Sequence, residues 1–227
     1  IDHYEITHDG SGLTCDSESV TIKACLNSDC SSLSSDSVTL DFQADGVTKN
    51  SPTFTGSTSF NFTHTSAETL TLSVANETSS AGNALVCVNS SGGASCDIDF
   101  ATAGFRFLYG VGSSTTVGNQ VAGNNFADIL KLQAVKDSNG VCTGLFTGNV
   151  NVDLAQQNLS PSGTGGLSFT VNGSAIAKHS TFTPNVSLNF GSNSIATIPA
   201  PIYQDAGQIQ LHARYNLGGV ALSGNSN

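Results

Sequence analysis

Phe54-Thr55-Gly56-Ser57-Thr58-Ser59-Phe60-Asn61-Phe62 and Phe182-Thr183-Pro184-Asn185-Val186-Ser187-Leu188-Asn189-Phe190 share five of nine residues at an offset of 128 positions. The likeness extends outward from this pair. Cys15 and Cys142 lie 127 apart, as do the turn dipeptides Asp45-Gly46 and Asn172-Gly173. Downstream, Ser66-Ala67-Glu68-Thr69-Leu70-Thr71-Leu72 resembles Asp205-Ala206-Gly207-Gln208-Ile209-Gln210-Leu211, after about eleven extra residues (Gly191 to Pro201) in the second copy. Repeated order of this kind points to two modules of one type in tandem.

Each copy reads as short strands. Glu18 to Ala24, Ser37 to Phe42, Thr69 to Val74 and Gln208 to Ala213 alternate polar and apolar residues. That period of two gives each strand one face toward a core and one toward water. Asp9-Gly10, Asp45-Gly46, Asn139-Gly140, Asn172-Gly173 and Gly218-Gly219 supply turns. Phe126 to Val135 has helix-like spacing at its start, but Ile129 to Val135 also alternates and is assigned as strand. The expected fold is all-β: two tandem immunoglobulin-like β-sandwich modules with disulfides. Residues 1–78 form the first, ending near Ala75-Asn76, with Glu77 to Gly82 as linker. Residues 79–227 form the second, opening on a Cys87–Cys96 hairpin with Asn89-Ser90-Ser91-Gly92-Gly93 at its tip and closing on a frayed tail from Ala221.

The six cysteines are even in number and sit in a chain whose polarity comes from Ser, Thr, Asn and Gly, a combination that favours disulfides in an oxidising compartment. Cys25 and Cys30 lack counterparts in the second copy and are expected to pair; so are Cys87 and Cys96, across their short loop. Cys15 with Cys142 then links the modules. Loop-closure entropy assigns roughly 2 kcal/mol to the 25–30 bridge and roughly 5 kcal/mol to the 15–142 bridge. Zinc needs two ligand pairs, and Cys25-x4-Cys30 has no clustered second pair along the sequence.

Net charge is −10, with seven scattered Lys and Arg, which argues against nucleic-acid binding. No apolar run is long enough to span a membrane. The chain begins at Ile1 without a signal peptide and reads as a fragment of a longer precursor. No Gly-x-Ser-x-Gly elbow or dinucleotide loop occurs, so no catalytic residue is assigned and an enzyme is not expected. His3 and His8 fall on opposite faces of a strand, and His64, His179 and His212 stand alone in sequence. Asp97, Asp99 and Asp137 are the weak calcium candidates, Asp97 and Asp99 as same-face strand neighbours, Asp137 in Asp137-Ser138-Asn139-Gly140. No cofactor other than calcium is suggested. The absence of Trp argues against a sugar platform built on aromatic stacking, while a lectin working through amides, carboxylates and backbone groups stays open. The Asn-x-Ser/Thr triplets at Asn61, Asn76, Asn89, Asn158, Asn172 and Asn185 follow from composition.

Asp2-His3-Tyr4-Glu5-Ile6 with Gly12-Leu13-Thr14-Cys15 and Val20 to Cys25, Cys96-Asp97-Ile98-Asp99-Phe100-Ala101-Thr102-Ala103-Gly104-Phe105-Arg106-Phe107, and Asp205 to Tyr215 resemble the C-terminal region of the MSHA biogenesis protein MshQ and related bacterial agglutination proteins. The resemblance covers nearly the whole chain. It implies export to the envelope or surface of a Gram-negative bacterium, a link to an MSHA-type pilus or adhesion, and other envelope or pilus proteins, or glycans, as partners. It implies no catalytic or ligand residues. The family's second copy often carries a cysteine pair near Gln157 and Ser162, which this sequence lacks.

Overall fold

A computed structural model describes residues 1–89, 93–112 and 114–226. Among these, every regular element is a strand. The chain divides into two compact units, Ile1–Ala101 and Thr102–Asn227.

Unit 1 contains β1 (His3–His8), β2 (Ser11–Leu13), β3 (Ser17–Cys25), β4 (Ser37–Thr39), β5 (Asp41–Ala44), β6 (Val47–Asn50), β7 (Thr53–Thr55), β8 (Ser57–Thr63), β9 (Thr69–Ala75), β10 (Val86–Asn89) and β11 (Asp97–Ala101). One sheet runs β10-β1-β3-β8 and the other β2-β11-β9-β5-β6, with β4 and β7 as a separate pair. Alternation sets the faces. In β3, Val20, Ile22 and Ala24 are buried while Ser17 and Ser19 are exposed. Tyr4, Ile6, Val20 and Ile22 of the first sheet share one core with Phe42, Leu70, Leu72, Ile98 and Phe100 of the second. Phe42 packs edge-on against Phe60 and Phe62, and Phe62 against Phe100, at centroid distances of 5.1, 5.3 and 5.7 Å. Each of the buried rings Phe42, Phe62 and Phe100 contributes roughly 1.5–3 kcal/mol by leaving water.

The module boundary expected at 78/79 differs from the division observed at 101/102. The expected linker is strapped to unit 1: Thr78 donates its N–H to the Thr39 carbonyl, the Tyr4 hydroxyl donates to Ser79 O, and Gly82 and Asn83 donate to Ile1 O and Asp2 O. The expected Cys87–Cys96 hairpin is a crossing between sheets instead. β10 lies parallel to β1, and β11 lies parallel to β2 and antiparallel to β9. Of the expected hairpin tip, residues 90–92 lie outside the described residues.

Unit 2 contains β12 (Ala103–Tyr109), β13 (Leu130–Ser138), β14 (Val141–Gly144), β15 (Gly148–Ser160), β16 (Ser162–Gly163), β17 (Phe169–Val171), β18 (Ser174–Ala175), β19 (Ala177–Lys178), β20 (Thr183–Phe190), β21 (Ile195–Thr197), β22 (Ile202–Tyr203), β23 (Gln208–Leu217) and β24 (Val220–Asn225). β13 sits between β12 and β14 and also pairs with β21, while β15 pairs with β16, β19, β20 and β23, and β23 with β24. Phe105, Phe107, Leu130, Leu132, Val152, Phe169, Phe190 and Leu222 share its core. The expected frayed tail is a strand. Leu222 is buried, and the Ser226 hydroxyl accepts the Leu211 N–H while its carbonyl accepts Gln210 Nε2. Asn227 lies outside the described residues. β24 also needs its glycine, since a Cβ at Gly224 would sit 1.9 Å from the Phe105 carbonyl oxygen.

The repeat has a counterpart in strand pairing. β8 lies antiparallel to β3, the first strand after Cys15, with Phe60 opposite Val20. β20 lies antiparallel to β15, the first strand after Cys142 and its own strand, with Leu188 opposite Val150. The surroundings differ: β3 continues to β1, whereas β15 continues to β23.

Candidate functional site

Three side-chain clusters stand out, none of them evident from linear spacing. The first lies where β1 meets β3. Antiparallel register sets His3 opposite Cys25 and Glu5 opposite Lys23, and directly opposed side chains come within contact of each other. Cys30 closes onto Cys25 in a disulfide with Cα atoms 4.9 Å apart. One donor atom each of His3, Glu5, Cys25 and Cys30 lies within 4.8 Å of every other. His3 Nδ1–H donates to Asp2 Oδ1 at 2.8 Å, and Asn83 Nδ2 donates to Asp2 Oδ2 at 3.0 Å. Lys23 Nζ donates to Glu5 Oε1 at 2.6 Å.

The second cluster is a carboxyl pair in unit 1. Glu18 occupies the core-facing side of β3 and is 7% exposed, and its Oε1 has no hydrogen-bond partner. Burial first, then the neighbouring Asp9 carboxylate, pushes the Glu18 carboxyl up to about 10. Burial likewise raises Asp9, to about 6, against the opposing effect of its hydrogen bond from Ser11 N.

The third cluster is in unit 2. The imidazoles of His179 and His212 stack at 4.3 Å, and Arg214 lies over the Phe182 ring at 4.1 Å while bonding Asp153 at 3.1 Å. His212 Nε2 meets Gln157 Oε1 at 2.9 Å. Burial, then His179, lowers His212 to about 4; burial, then Arg214, lowers His179. The isolation of these histidines in sequence disappears because the register of β15 and β23 sets His212 beside Ala155, next to the segment carrying His179.

Asp97 and Asp99 point to solvent from β11 and accept the hydroxyls of Thr71 and Thr69 at 2.8 and 2.5 Å. Asp137 Oδ1 accepts Gly140 N–H at 2.7 Å, which closes the Asn139-Gly140 turn. Among the described residues, none of the three belongs to a donor group close enough to share an ion. The bridges Cys25–Cys30 and Cys87–Cys96 are present, and no described cysteine is free. No helix of the described residues is long and apolar enough to cross a membrane.

Residues 84–225, more than half of the chain, match the model of the family described as "Domain of unknown function (DUF6701), first Ig-like domain". The chain belongs to the DUF6701 family. Its immunoglobulin-like, all-β architecture follows from that membership and from the strand order above. The DUF6701 match begins before β10, so its first two strands fold with unit 1. Residues 1–80 match a second model, "Domain of unknown function (DUF8613)". A comparison with curated proteins finds no match. Among solved structures, the D0-D1 domain of intimin aligns with this DUF6701 chain at 14% identity and a TM-score of 0.32, covering 97% of this chain and 95% of that one. The Yersinia pseudotuberculosis adhesin InvE aligns at 16% identity and a TM-score of 0.30, covering 98% of this chain and 55% of that one.

Proposed function

We propose that these two units are a non-catalytic, extracellular structural and interaction segment of a bacterial surface or agglutination protein, associated with an MSHA-type pilus at a Gram-negative envelope. The observation that carries this reading is the direct succession of sandwich strands: β11 ends at Ala101 and β12 begins at Ala103. A chain that passes from one stapled sandwich into the next across one residue has the economy of a spacer. The disulfides suit an oxidising compartment outside the cytosol. The pilus association rests on the MshQ-like segments, and its partners would be other envelope or pilus proteins. Pairing of Cys15 with Cys142 belongs to this proposal. Non-reducing peptide mapping is expected to recover that linked pair, and finding either cysteine joined elsewhere removes the inter-module staple.

One observation favours a second reading, direct glycan binding. The half-buried Phe182 ring, Arg214, His179 and Asp153 form one cluster that offers an aromatic ring, a guanidinium and a carboxylate, side chains with which a Trp-free site would hold a sugar. A glycan array on the 227-residue chain separates the two. The spacer reading expects no saturable binding. Sugar-inhibited binding that Arg214→Ala abolishes would replace it with the lectin reading.

A further inference from the structure

We propose that two-electron reduction of Cys25–Cys30 converts the β1–β3 junction into a zinc site, with Cys25, Cys30, His3 and Glu5 as ligands. Linear spacing offers one cysteine pair and stops there. The fold supplies the other half, because His3 and Glu5 alternate on one face of β1 and His3 faces Cys25 in register. The four donor atoms already lie within 4.8 Å of one another. Tetrahedral zinc bonds of about 2.0–2.3 Å place ligand atoms roughly 3.3–3.8 Å apart, so the two sulfurs part once their bond is reduced while the His3 and Glu5 donors draw in around the ion. Two thiolates, an imidazole and a carboxylate form a donor set that suits zinc.

The chemistry balances with a dithiol as reductant. Two electrons and two protons pass to the Cys25–Cys30 bond, which becomes two thiols, and the dithiol closes to its own disulfide. Zinc binding then releases the two thiol protons to solvent, since the thiolate is the ligand. Zn²⁺ with two thiolates and Glu5 carries a charge of −1, and Lys23, 2.6 Å from Glu5, balances it. His3 is oriented for the task. Its Nδ1–H is held by Asp2, itself held by Asn83, which fixes the ring and leaves Nε2 as the nitrogen to bind a metal.

The cysteines remain presented when the covalent bond opens. Cys25 is fully buried at the end of β3, and its carbonyl accepts the Asp2 N–H. The loop to Cys30 has its own hydrogen bonds: Cys30 N–H to Asn27 O, Leu26 N–H to Ser32 O, and Asn27 Nδ2 to Ser31 Oγ. The junction therefore has two states, a disulfide under oxidising conditions and a metal centre under reducing ones.

The test uses the whole chain in oxidised form and after reduction with a phosphine, which leaves zinc free. Zn²⁺ is titrated by calorimetry, and cysteine alkylation is mapped by peptide mass spectrometry. The reduced protein is expected to bind one equivalent, and zinc is expected to slow alkylation at Cys30 by at least tenfold while leaving Cys87 and Cys96 unprotected. His3→Ala, whose fold is checked by circular dichroism in the oxidised state, is expected to lose that protection and at least tenfold in affinity. Absence of zinc protection at Cys30 overturns the site. So does protection that is undiminished in both His3→Ala and Glu5→Gln, since the cysteines would then be acting without the β1 ligands.

Discussion

Unit 1 and unit 2 hold their last strands in different ways. In unit 1 the final segment is divided between the sheets: β10 runs parallel to β1, β11 runs parallel to β2, and the Cys87–Cys96 bridge spans the crossing. In unit 2 the final strand is local. β24 turns back on β23 through Gly218-Gly219 and pairs antiparallel with it. Parallel pairs need distant chain segments and are slightly weaker per residue, so β1 and β2 of unit 1 depend on strands more than 80 residues downstream of them. That explains why family models that end at residue 80 and begin at residue 84 do not coincide with the units into which the chain folds.

The largest expected effect tests this difference directly. A fragment of residues 1–80 lacks Cys87, Ile98 and Phe100, all buried, and exposes the edges of β1, β2 and β9. It is expected to be unfolded, while residues 1–101 fold, both carrying Cys15→Ser. Amide chemical-shift dispersion distinguishes the two outcomes, and a folded 1–80 fragment would break the comparison.

The next effect compares two close approaches. A Cβ at Gly224 meets the Phe105 backbone at 1.9 Å, whereas a Cβ at Gly12 meets the Phe100 ring at 2.5 Å. Backbone cannot turn aside and a ring can. Gly224→Ala is therefore expected to destabilise unit 2 by about 3 kcal/mol or more, and Gly12→Ala to destabilise unit 1 by about 1–2 kcal/mol, read from urea midpoints. Equal losses would mean that β12 and β24 are free to separate.

These contrasts also show what the sequence makes visible. Alternation locates β3, β5, β9 and β23, and four of the five turn dipeptides join paired strands. Asp45-Gly46, Asn139-Gly140 and Asn172-Gly173 have positive φ at both residues, as does Gly218-Gly219, the geometry that two-residue hairpins need. Asp9-Gly10 does not make a hairpin, because β1 and β2 enter different sheets. The boundary was hidden for a related reason. Alternation identifies a strand without identifying its partner, and the parallel partners of β10 and β11, β1 and β2, lie about 85 residues upstream. The clusters were hidden too. His3 with Cys25, Asp9 with Glu18, and His179 with His212 are each products of strand register or chain reversal rather than of spacing.

The smallest effects concern pH, where the two units respond with opposite sign. In unit 1 the folded-state values of Glu18 and Asp9 are raised, from 4.5 to about 10 and from 3.8 to about 6. The folded state then binds more protons than the unfolded one, so their contribution is complete at low pH and is lost as pH rises through those windows. Glu18→Gln removes the carboxyl whose ionisation in the unfolded chain disfavours folding above its ordinary range. It is expected to raise the stability of unit 1 at pH 9 by on the order of 2 kcal/mol and to leave pH 4 nearly unchanged. Hydrogen exchange resolved to β3 and β9 reads this unit alone.

In unit 2 the shift runs the other way. His212 falls from 6.5 to about 4, so the unfolded state binds more protons between those values. The contribution is present above pH 6.5 and is lost as pH falls toward 4. His179 is only half-buried and lets water screen the pair, which reduces the expected loss to about 1 kcal/mol. His212→Gln preserves a polar partner for Gln157 and is expected to flatten the acid limb of exchange in β15 and β23. The same substitution leaves β3 and β9 unaffected, because the carboxyl pair that controls them lies in the other unit. If acidification instead loosened β3 and β9 while sparing β15 and β23, the assignment of the two clusters to opposite pH responses would be reversed. The stacked imidazoles would then be a consequence of packing around Phe182 rather than a determinant of the acid stability of unit 2.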